Sequence, residues 1–318
     1  MKHPEWGYLI IVYLFLGGLS AGAFFVSALA TLLQRNGDTP AYTRVARLGA
    51  MLAPWPVIIG STLLIFDLGR WYHFWKLFMH FRWTSPMSIG SWLLIAFTLI
   101  TLAYLWAWLS AEEREKAFFR LPRYLASLNR DFSAHRRQIA LLGMPVSIGV
   151  GIYTGVLLGA VQSRPFWNTN LVAQMFLFSA LSSGCAAVTL LLAFRRKDYD
   201  ARSFQLLYTL DICLLALEFF IVVPYIVHGE LSVQAVKDSL ALILGGPFTV
   251  IFWLFFLGLG LLLPLVIEAF ETLPAWMSQA GAVHYRTSVA AVTALLVLAG
   301  GFLLRYIFVF AGQMSAFR

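Results

Sequence analysis

The chain has 318 residues, of which 60% are hydrophobic and only 12% charged, and its mean hydropathy is +0.78. Soluble domains carry roughly 25% charged residues, so this composition excludes a water-soluble protein and predicts one that lies in a membrane. The formal net charge is +8. The basic residues do not cluster on a soluble face, which excludes nucleic acid as a partner.

Eight apolar stretches, each at least about 20 residues long, could cross a bilayer as helices. They predict an all-α fold, a polytopic membrane helical bundle in which residues 1–318 form a single integral membrane domain. Two four-helix halves, 1–165 and 166–318, are an alternative description. The first stretch is too long for the core of a cleavable signal peptide, so we expect it to be retained. The predicted spans are Gly7–Leu33, Leu48–Phe66, Met87–Leu109, Gln138–Val161, Leu171–Phe194, Phe204–Val227, Phe248–Phe270 and Thr287–Phe310.

The distribution of lysine and arginine predicts the orientation of this bundle. The loops on one side carry 15 basic residues, against 8 on the other side. Because the positive-inside rule places the richer side in the cytoplasm, both termini and the Asp67–Pro86 loop are predicted to face the periplasm. The expected location is the cytoplasmic membrane of a bacterium or archaeon. Between spans six and seven, Val233–Leu244 is too short to cross and predicts an interfacial helix.

Cysteine and histidine are poorly placed for a bound metal centre. Cys185 and Cys213 both lie inside predicted spans, so cysteines cannot build an iron–sulfur cluster, a zinc site or a c-type haem. Every histidine lies at a span end or in a loop. His73 and His228 could meet at the outer surface, but a haem between helices needs a pair at matching depth. We therefore expect no haem, iron–sulfur cluster or other metal in this chain.

Ionisable residues are concentrated in the loop between spans two and three. The sequence Asp67-Leu68-Gly69-Arg70 is followed by an aromatic-rich segment that contains His73, Lys76, His80 and Arg82. Charges at the edge of the hydrocarbon region are costly and are typical of functional sites. The loop therefore predicts a binding site for a lipid-soluble redox carrier.

Span one carries a polar stripe beside a seam of small residues. Tyr13, Ser20 and Ser27 recur every seven residues, so they share one face of the helix. Gly18 and Gly22 form a GxxxG motif on a neighbouring face, which allows another helix to approach closely. For the two serines, packing alone is as good an interpretation as a functional one.

Span four places a phenol and a guanidinium on one predicted face. Tyr153 and Arg164 are eleven residues apart, nearly three helical turns, and Gln162 lies near the arginine. Such donors could bind the carbonyl groups of a ring that enters from the outer side. The alternative is that Arg164 only caps a helix C-terminus.

Span six places Asp211, Glu218 and Tyr225 at heptad spacing on one face. Carboxylates at this depth are costly unless they are paired or protonated. One hypothesis is a proton relay that rises from the cytoplasmic side. The alternative is that each acid is neutral or paired with a basic neighbour.

Two more ionisable residues interrupt the last spans. Glu268, near the cytoplasmic end of span seven, could be the entry point of such a relay, but an ordinary interfacial acid is the favoured interpretation. Arg305 lies a turn or two inside span eight and needs an anion, for which Asp67 and Glu218 are candidates.

An ordered set of motifs across the sequence carries a family resemblance. The protein resembles the NrfD-type membrane subunits, the family that includes the membrane anchor of polysulfide reductase. The matching pieces are Trp6-Gly7, the stretch Tyr13–Gly22, Asp67-Leu68-Gly69-Arg70, Thr84-Ser85-Pro86 through Gly90-Ser91-Trp92, Arg164-Pro165-Phe166-Trp167-Asn168, Leu304-Arg305 and Ala311-Gly312-Gln313.

The resemblance implies a quinone-reactive subunit of a respiratory oxidoreductase complex, with menaquinone or ubiquinone as an exchangeable cofactor. It also implies two partners: a four-cluster iron–sulfur subunit and a molybdopterin catalytic subunit outside the membrane. Tyr153 aligns with a tyrosine held to contact the quinone in this family, whereas some members have a histidine at the position of Tyr13. The basic residues Arg70, Lys76 and Arg82 would then meet an acidic surface of the iron–sulfur partner.

These observations combine into one hypothesis and leave two alternatives. In the hypothesis, Tyr13, Tyr153 and Arg164 bind the oxygens of the quinone ring, and Asp67 and His73 exchange protons with it. A secondary transporter would also have buried acids, but it would usually show an internal repeat. A purely structural anchor for an extrinsic enzyme is the second alternative. Polysulfide, formate, tetrathionate, nitrite and hydrogen are all compatible substrates for the catalytic partner.

Overall fold

The computed structural model describes residues 6–34, 40–67, 71–73, 75, 79, 81–115, 132–195, 200–277 and 285–315. In these ranges all regular structure is helical, and eight helical segments are long and apolar enough to cross a membrane, which confirms the predicted eight spans. The observed spans one to eight are Tyr8–Leu33, Pro40–Asp67, Pro86–Trp108, Ser133–Gly159, Asn170–Phe194, Ala201–Glu230, Ile251–Met277 and Thr287–Met314.

Span two begins much earlier than predicted. The prediction started it at Leu48, but the helix already begins at Pro40, a residue that is favoured in the first turn of a helix. It is interrupted at Ala53 and continues over Pro54–Asp67. Pro54 and Pro56 have no backbone N–H to donate, which accounts for the break.

Spans one and five form the centre of the bundle. They are the spans with the largest buried share, 72% and 78% of the apolar window. Their closest approach is at Gly22 and Gly184, where a Cβ on Gly22 would lie 2.1 Å from the carbonyl oxygen of Ala180 and one on Gly184 would lie 2.1 Å from the amide of Ala23. The predicted glycine seam of span one is therefore a direct backbone contact between two helices.

The serine stripe of span one binds the backbone of span two. Ser20 donates to the carbonyl of Ala53 at 2.5 Å, and Ser27 donates to the carbonyl of Ala46. Both serines are fully buried. Their observed role is packing, the alternative that the sequence left open.

The beginning of span one lies beside the end of span eight. The amide of Trp6 donates to Oε1 of Gln313 at 2.9 Å, and Nε2 of Gln313 donates to the carbonyl of Trp6 at 3.0 Å. We call this end of the bundle the terminus side and the opposite end the far side. The predicted interfacial helix is observed at Gln234–Leu244, on the terminus side after span six.

Candidate functional site

Four spans meet at two tyrosines on the terminus side. A Cβ on Gly90 of span three would lie 1.8 Å from Cζ of Tyr153, and one on Gly60 of span two would lie 3.5 Å from Cδ2 of Tyr13. We call Tyr13, Gly60, Gly90 and Tyr153 the tyrosine cluster. Counted along each helix at about 1.5 Å per residue, its members lie roughly 6–10 Å inside the terminus-side helix ends.

The two phenols of the cluster are buried and lie near one another. Tyr13 is 1% exposed and Tyr153 is 7% exposed. The two side chains are close enough to interact electrostatically. The hydroxyl of Tyr13 is buried and has no hydrogen-bond partner in the part of the chain that the structure describes. Because an unsatisfied buried donor is costly, this hydroxyl fits a ligand with a carbonyl oxygen.

The neighbouring loop contains the other predicted ligands. Asp67 is the last residue of span two and is partly buried, while His73 lies in a short 3₁₀ turn, Trp71–His73, with its ring 4.3 Å from that of Tyr72. Arg70 lies outside the described residues, as do Lys76 and His80. The exposed Arg82 lies just before span three.

The predicted pairing of Tyr153 with Arg164 along one helix face is wrong. Span four ends at Gly159, so the eleven-residue spacing does not follow a helix. The guanidinium of Arg164 instead donates at 2.7 Å to the carbonyls of both Gln313 and Ser315, at the end of span eight. Arg164 therefore does bind the carbonyls of a helix C-terminus, but the helix is span eight and not its own span four. Gln162 is exposed in the turn after span four.

The predicted acidic face of span six is buried inside the bundle. Asp211, Glu218 and Tyr225 all lie on the side of the helix that faces other spans. Asp211 accepts a hydrogen bond of 2.6 Å from Ser182 of span five. The hydroxyl of Tyr225 donates to the carbonyl of Phe166 at 2.9 Å.

Arg305 is fully buried and is held by span five. It donates to the hydroxyl of Ser179 at 2.8 Å and to the carbonyl of Gly301 at 2.6 Å. Ser179 also interacts with Glu218, which is the acidic residue whose charge acts on Arg305. Of the two predicted anions, Glu218 is therefore the one near Arg305, and Ser179 lies between them. A Cβ on Gly18 would lie 2.9 Å from a terminal nitrogen of Arg305, so the guanidinium also reaches span one.

Glu268 is not an interfacial acid, contrary to the favoured interpretation of its position. Its side chain is 2% exposed and interacts electrostatically with Asp211 and Glu271. Glu271 lies nearer the far side, is partly exposed, and interacts with Tyr208. Burial of Glu268 between spans six and seven extends the line of acids from Glu218 and Asp211 toward the far side.

Several residues of the tyrosine cluster and of the surroundings of the buried acids were not predicted from the sequence. Gly60 and Gly90 sit in apolar helices, and only the contact of another helix shows that they make room for the phenols. Ser179 and Ser182 lie in a small-residue stretch that is equally typical of helix packing. In the described residues, no group of three or more histidine, cysteine, aspartate or glutamate side chains is arranged to hold a metal ion.

The eight apolar helices, with ionisable side chains buried between them, define a multi-pass integral membrane protein. A family model described as "Polysulphide reductase, NrfD" matches residues 2–316, and the chain therefore belongs to the NrfD family. This result confirms the resemblance that the motifs carried.

Curated relatives extend over nearly the whole sequence. The polysulfide reductase C subunit of Wolinella succinogenes is 33% identical over 313 residues, which cover 97% of this protein and 94% of the relative. Protein NrfD of Escherichia coli is 31% identical, with 98% and 95% coverage. A more distant relative, the Hdr-like menaquinol oxidoreductase integral membrane subunit of Archaeoglobus fulgidus, is 26% identical and is matched over 79% of this protein and 58% of its own length. Of these three relatives, the first is named as a chain of a reductase and the third as an integral membrane subunit of an oxidoreductase.

Proposed function

We propose that this protein is the quinone- or quinol-binding membrane anchor of a respiratory oxidoreductase complex. In this role it exchanges electrons between an extrinsic iron–sulfur subunit and the menaquinone or ubiquinone pool of the cytoplasmic membrane. The observation that carries the proposal is the tyrosine cluster, where four spans surround a buried phenol without a partner among the described residues. A relative named as a menaquinol oxidoreductase subunit supports it.

The proposed head-group site consists of Tyr13 and Tyr153, with Asp67 and His73 above them toward the surface. A bound quinone supplies two-electron, two-proton redox chemistry. The phenols donate hydrogen bonds to its ring oxygens and fix its orientation, and the surrounding helices exclude water. Asp67 and His73 hold and release protons at the terminus-side surface. Arg164 links the turn after span four to the end of span eight, because both of its described hydrogen bonds go there.

The proposed orientation puts the terminus side, with both chain ends, in the periplasm. The far side carries most of the basic residues, which favours the cytoplasm. The loop between spans two and three then faces an extrinsic four-cluster iron–sulfur subunit, with a molybdopterin catalytic subunit beyond it. In this arrangement Arg70, Lys76 and Arg82 would meet an acidic partner surface.

The buried acids are proposed to conduct protons from the cytoplasm toward the tyrosine cluster. The route would pass from Glu268 to Asp211 and Glu218, and then to Arg305, which reaches span one at Gly18. Tyr225 lies beyond Glu218 on the same face of span six and would end the route on the terminus side. Uptake of protons from the cytoplasm during turnover would build a proton gradient.

The test is the binding of a quinol analogue, such as a hydroxyquinoline N-oxide, to the purified protein by fluorescence titration. Tyr13→Phe and Tyr153→Phe each remove one hydroxyl group, and we expect each to weaken binding by roughly 3- to 10-fold, the value of one hydrogen bond. Tyr104→Phe is the matched control, because this buried tyrosine bonds to Thr31 instead. Wild-type affinity in both cluster variants would contradict the proposal and favour a purely structural anchor.

A further inference from the structure

The buried polar residues of spans five, six and eight stop at a layer of aromatic rings. Phe308 lies at its centre, with its ring 5.1 Å from Phe166, 5.7 Å from Phe176 and 5.4 Å from Tyr225. Phe166 and Tyr225 also touch, at 5.9 Å. All four side chains are buried. We call these four residues the aromatic layer.

Charged groups lie directly against the face of this layer that points to the far side of the bundle. The guanidinium of Arg305 lies 5.3 Å from the ring centre of Phe176. Arg305 itself lies one helical turn before Phe308 on span eight. Glu218 precedes Tyr225 by seven residues, or about 10 Å along the helix. The line of buried acids therefore ends where the aromatic layer begins.

A polar cavity lies on the other face of the layer. It has a volume of about 180 Å³ and opens on the terminus side between span six, the helix Gln234–Leu244 and the turn before span five. Phe166 and Tyr225 belong to both the layer and the cavity wall. A cavity of this size holds several water molecules. Its six polar side chains are Asn168, Thr169, Tyr225, His228, Ser232 and Ser239.

The layer is fastened from the terminus side by a set of specific contacts. The indole of Trp167 donates to the carbonyl of Phe308 at 2.6 Å, and a Cβ on Gly312 would lie 1.8 Å from its Nε1. Trp6 stacks on Trp167 at 5.3 Å. These contacts hold Phe166, next to Trp167, and Phe308 in fixed positions.

We propose that the aromatic layer is the seal that separates the buried acids from the terminus-side water. The inference rests on the proposed proton route, and it identifies the place where that route is closed to the water on the terminus side. Because polar groups lie on both faces of the layer, the four rings form the barrier to proton passage. With the seal intact, protons that reach Glu218 and Arg305 can leave only toward span one and the tyrosine cluster. Without it, the acids connect both sides of the membrane.

The test is passive proton flux through the full-length protein in liposomes, driven by a potassium diffusion potential and followed by a trapped pH dye. Phe308→Ala removes the central ring, and we expect a several-fold higher flux than in wild-type protein. Phe310→Ala is the matched control, because this ring packs on Tyr8 and Tyr306 outside the layer. Addition of Glu218→Gln to Phe308→Ala should return the flux to the wild-type level, because the leak would run through that carboxylate.

Two results would overturn the inference: equal flux in Phe308→Ala and Phe310→Ala, or a leak in Phe308→Ala that persists with Glu218→Gln. Folding is checked by monodispersity and thermal unfolding. If Phe308→Ala fails these checks, Phe176→Ala opens the same layer and is judged by the same criteria. The leak assay contains no quinone and the titration of the quinol analogue measures no proton flux, so failure of the seal and failure of the quinone proposal are distinguishable.

Discussion

The tyrosine cluster depends on residues that have no side chain. The phenol of Tyr153 packs directly on the backbone of Gly90: its ring carbon Cζ and its hydroxyl oxygen would lie 1.8 and 2.1 Å from an added Cβ. At this contact, span three packs directly against the phenol ring of span four. Gly90 is thus a positioning residue for the phenol, although it offers no group to a ligand.

We therefore expect Gly90→Ala to displace the Tyr153 ring and to weaken binding of the quinol analogue at least as much as Tyr153→Phe. The measurement is the same fluorescence titration. Gly149→Ala is the control, because an added Cβ there meets only the side chain of Leu93 at 3.5 Å, an ordinary contact. If Gly90→Ala binds the analogue as wild-type protein does, Tyr153 has no part in the site.

The contact between spans one and five shows how two helices are held together in a membrane, where there is no hydrophobic driving force between them. Lipid is as apolar as the side chains, so close packing and hydrogen bonds must hold the helices together. Gly22 and Gly184 bring the two backbones into contact, and Ser20 and Ser27 fasten span two to the opposite face of span one.

We expect Gly22→Ala to lower the free energy of unfolding by about 1–3 kcal/mol, the usual cost of overpacking, because the added Cβ would overlap the carbonyl of Ala180. Thermal unfolding in detergent measures this effect. Gly17→Ala on the same helix is the control, since no atom lies within 4 Å of its added Cβ. Equal destabilisation by both substitutions would mean that the helix crossing is not the cause.

At the scale of elements, hydropathy predicted the number and order of the spans, because each apolar stretch must satisfy its backbone hydrogen bonds as a helix. Helix ends were less predictable. Span two starts at Pro40 within a polar segment, and the end of span four at Gly159 removed the expected alignment of Tyr153 with Arg164.

Heptad spacing did predict the shared buried face of Asp211, Glu218 and Tyr225, since this face depends on one helix alone. The depth of Glu268 depends on neighbouring spans and was not predictable.

In the whole molecule, ionisable groups form a line from the partly exposed Glu271 to Arg305, and this line passes through Glu268, Asp211 and Glu218. With the proposed aromatic seal at one end, this line of buried acids would suit the delivery of protons to an internal site. It does not suit a transporter for larger substrates. The orientation of the bundle decides from which compartment the protons come.

We expect Glu218→Gln to abolish proton uptake from the cytoplasmic side while electron transfer to the quinone stays measurable. Gln has nearly the same shape, but it cannot take up and release a proton at this depth. The measurement is proton uptake per electron in the complex reconstituted in liposomes. Glu230→Gln, an exposed acid at the end of the same helix, is the control. Unchanged uptake in Glu218→Gln would rule out the relay.

The most direct test of the central claim, that the tyrosine cluster binds the quinone head group, is photolabelling with an azidoquinone in native membranes, followed by peptide mapping. We expect label in the peptides of span one and span four that contain Tyr13 and Tyr153, and competition by excess unlabelled quinone. Label that resists competition, or competed label confined to peptides from spans six to eight, would contradict this claim.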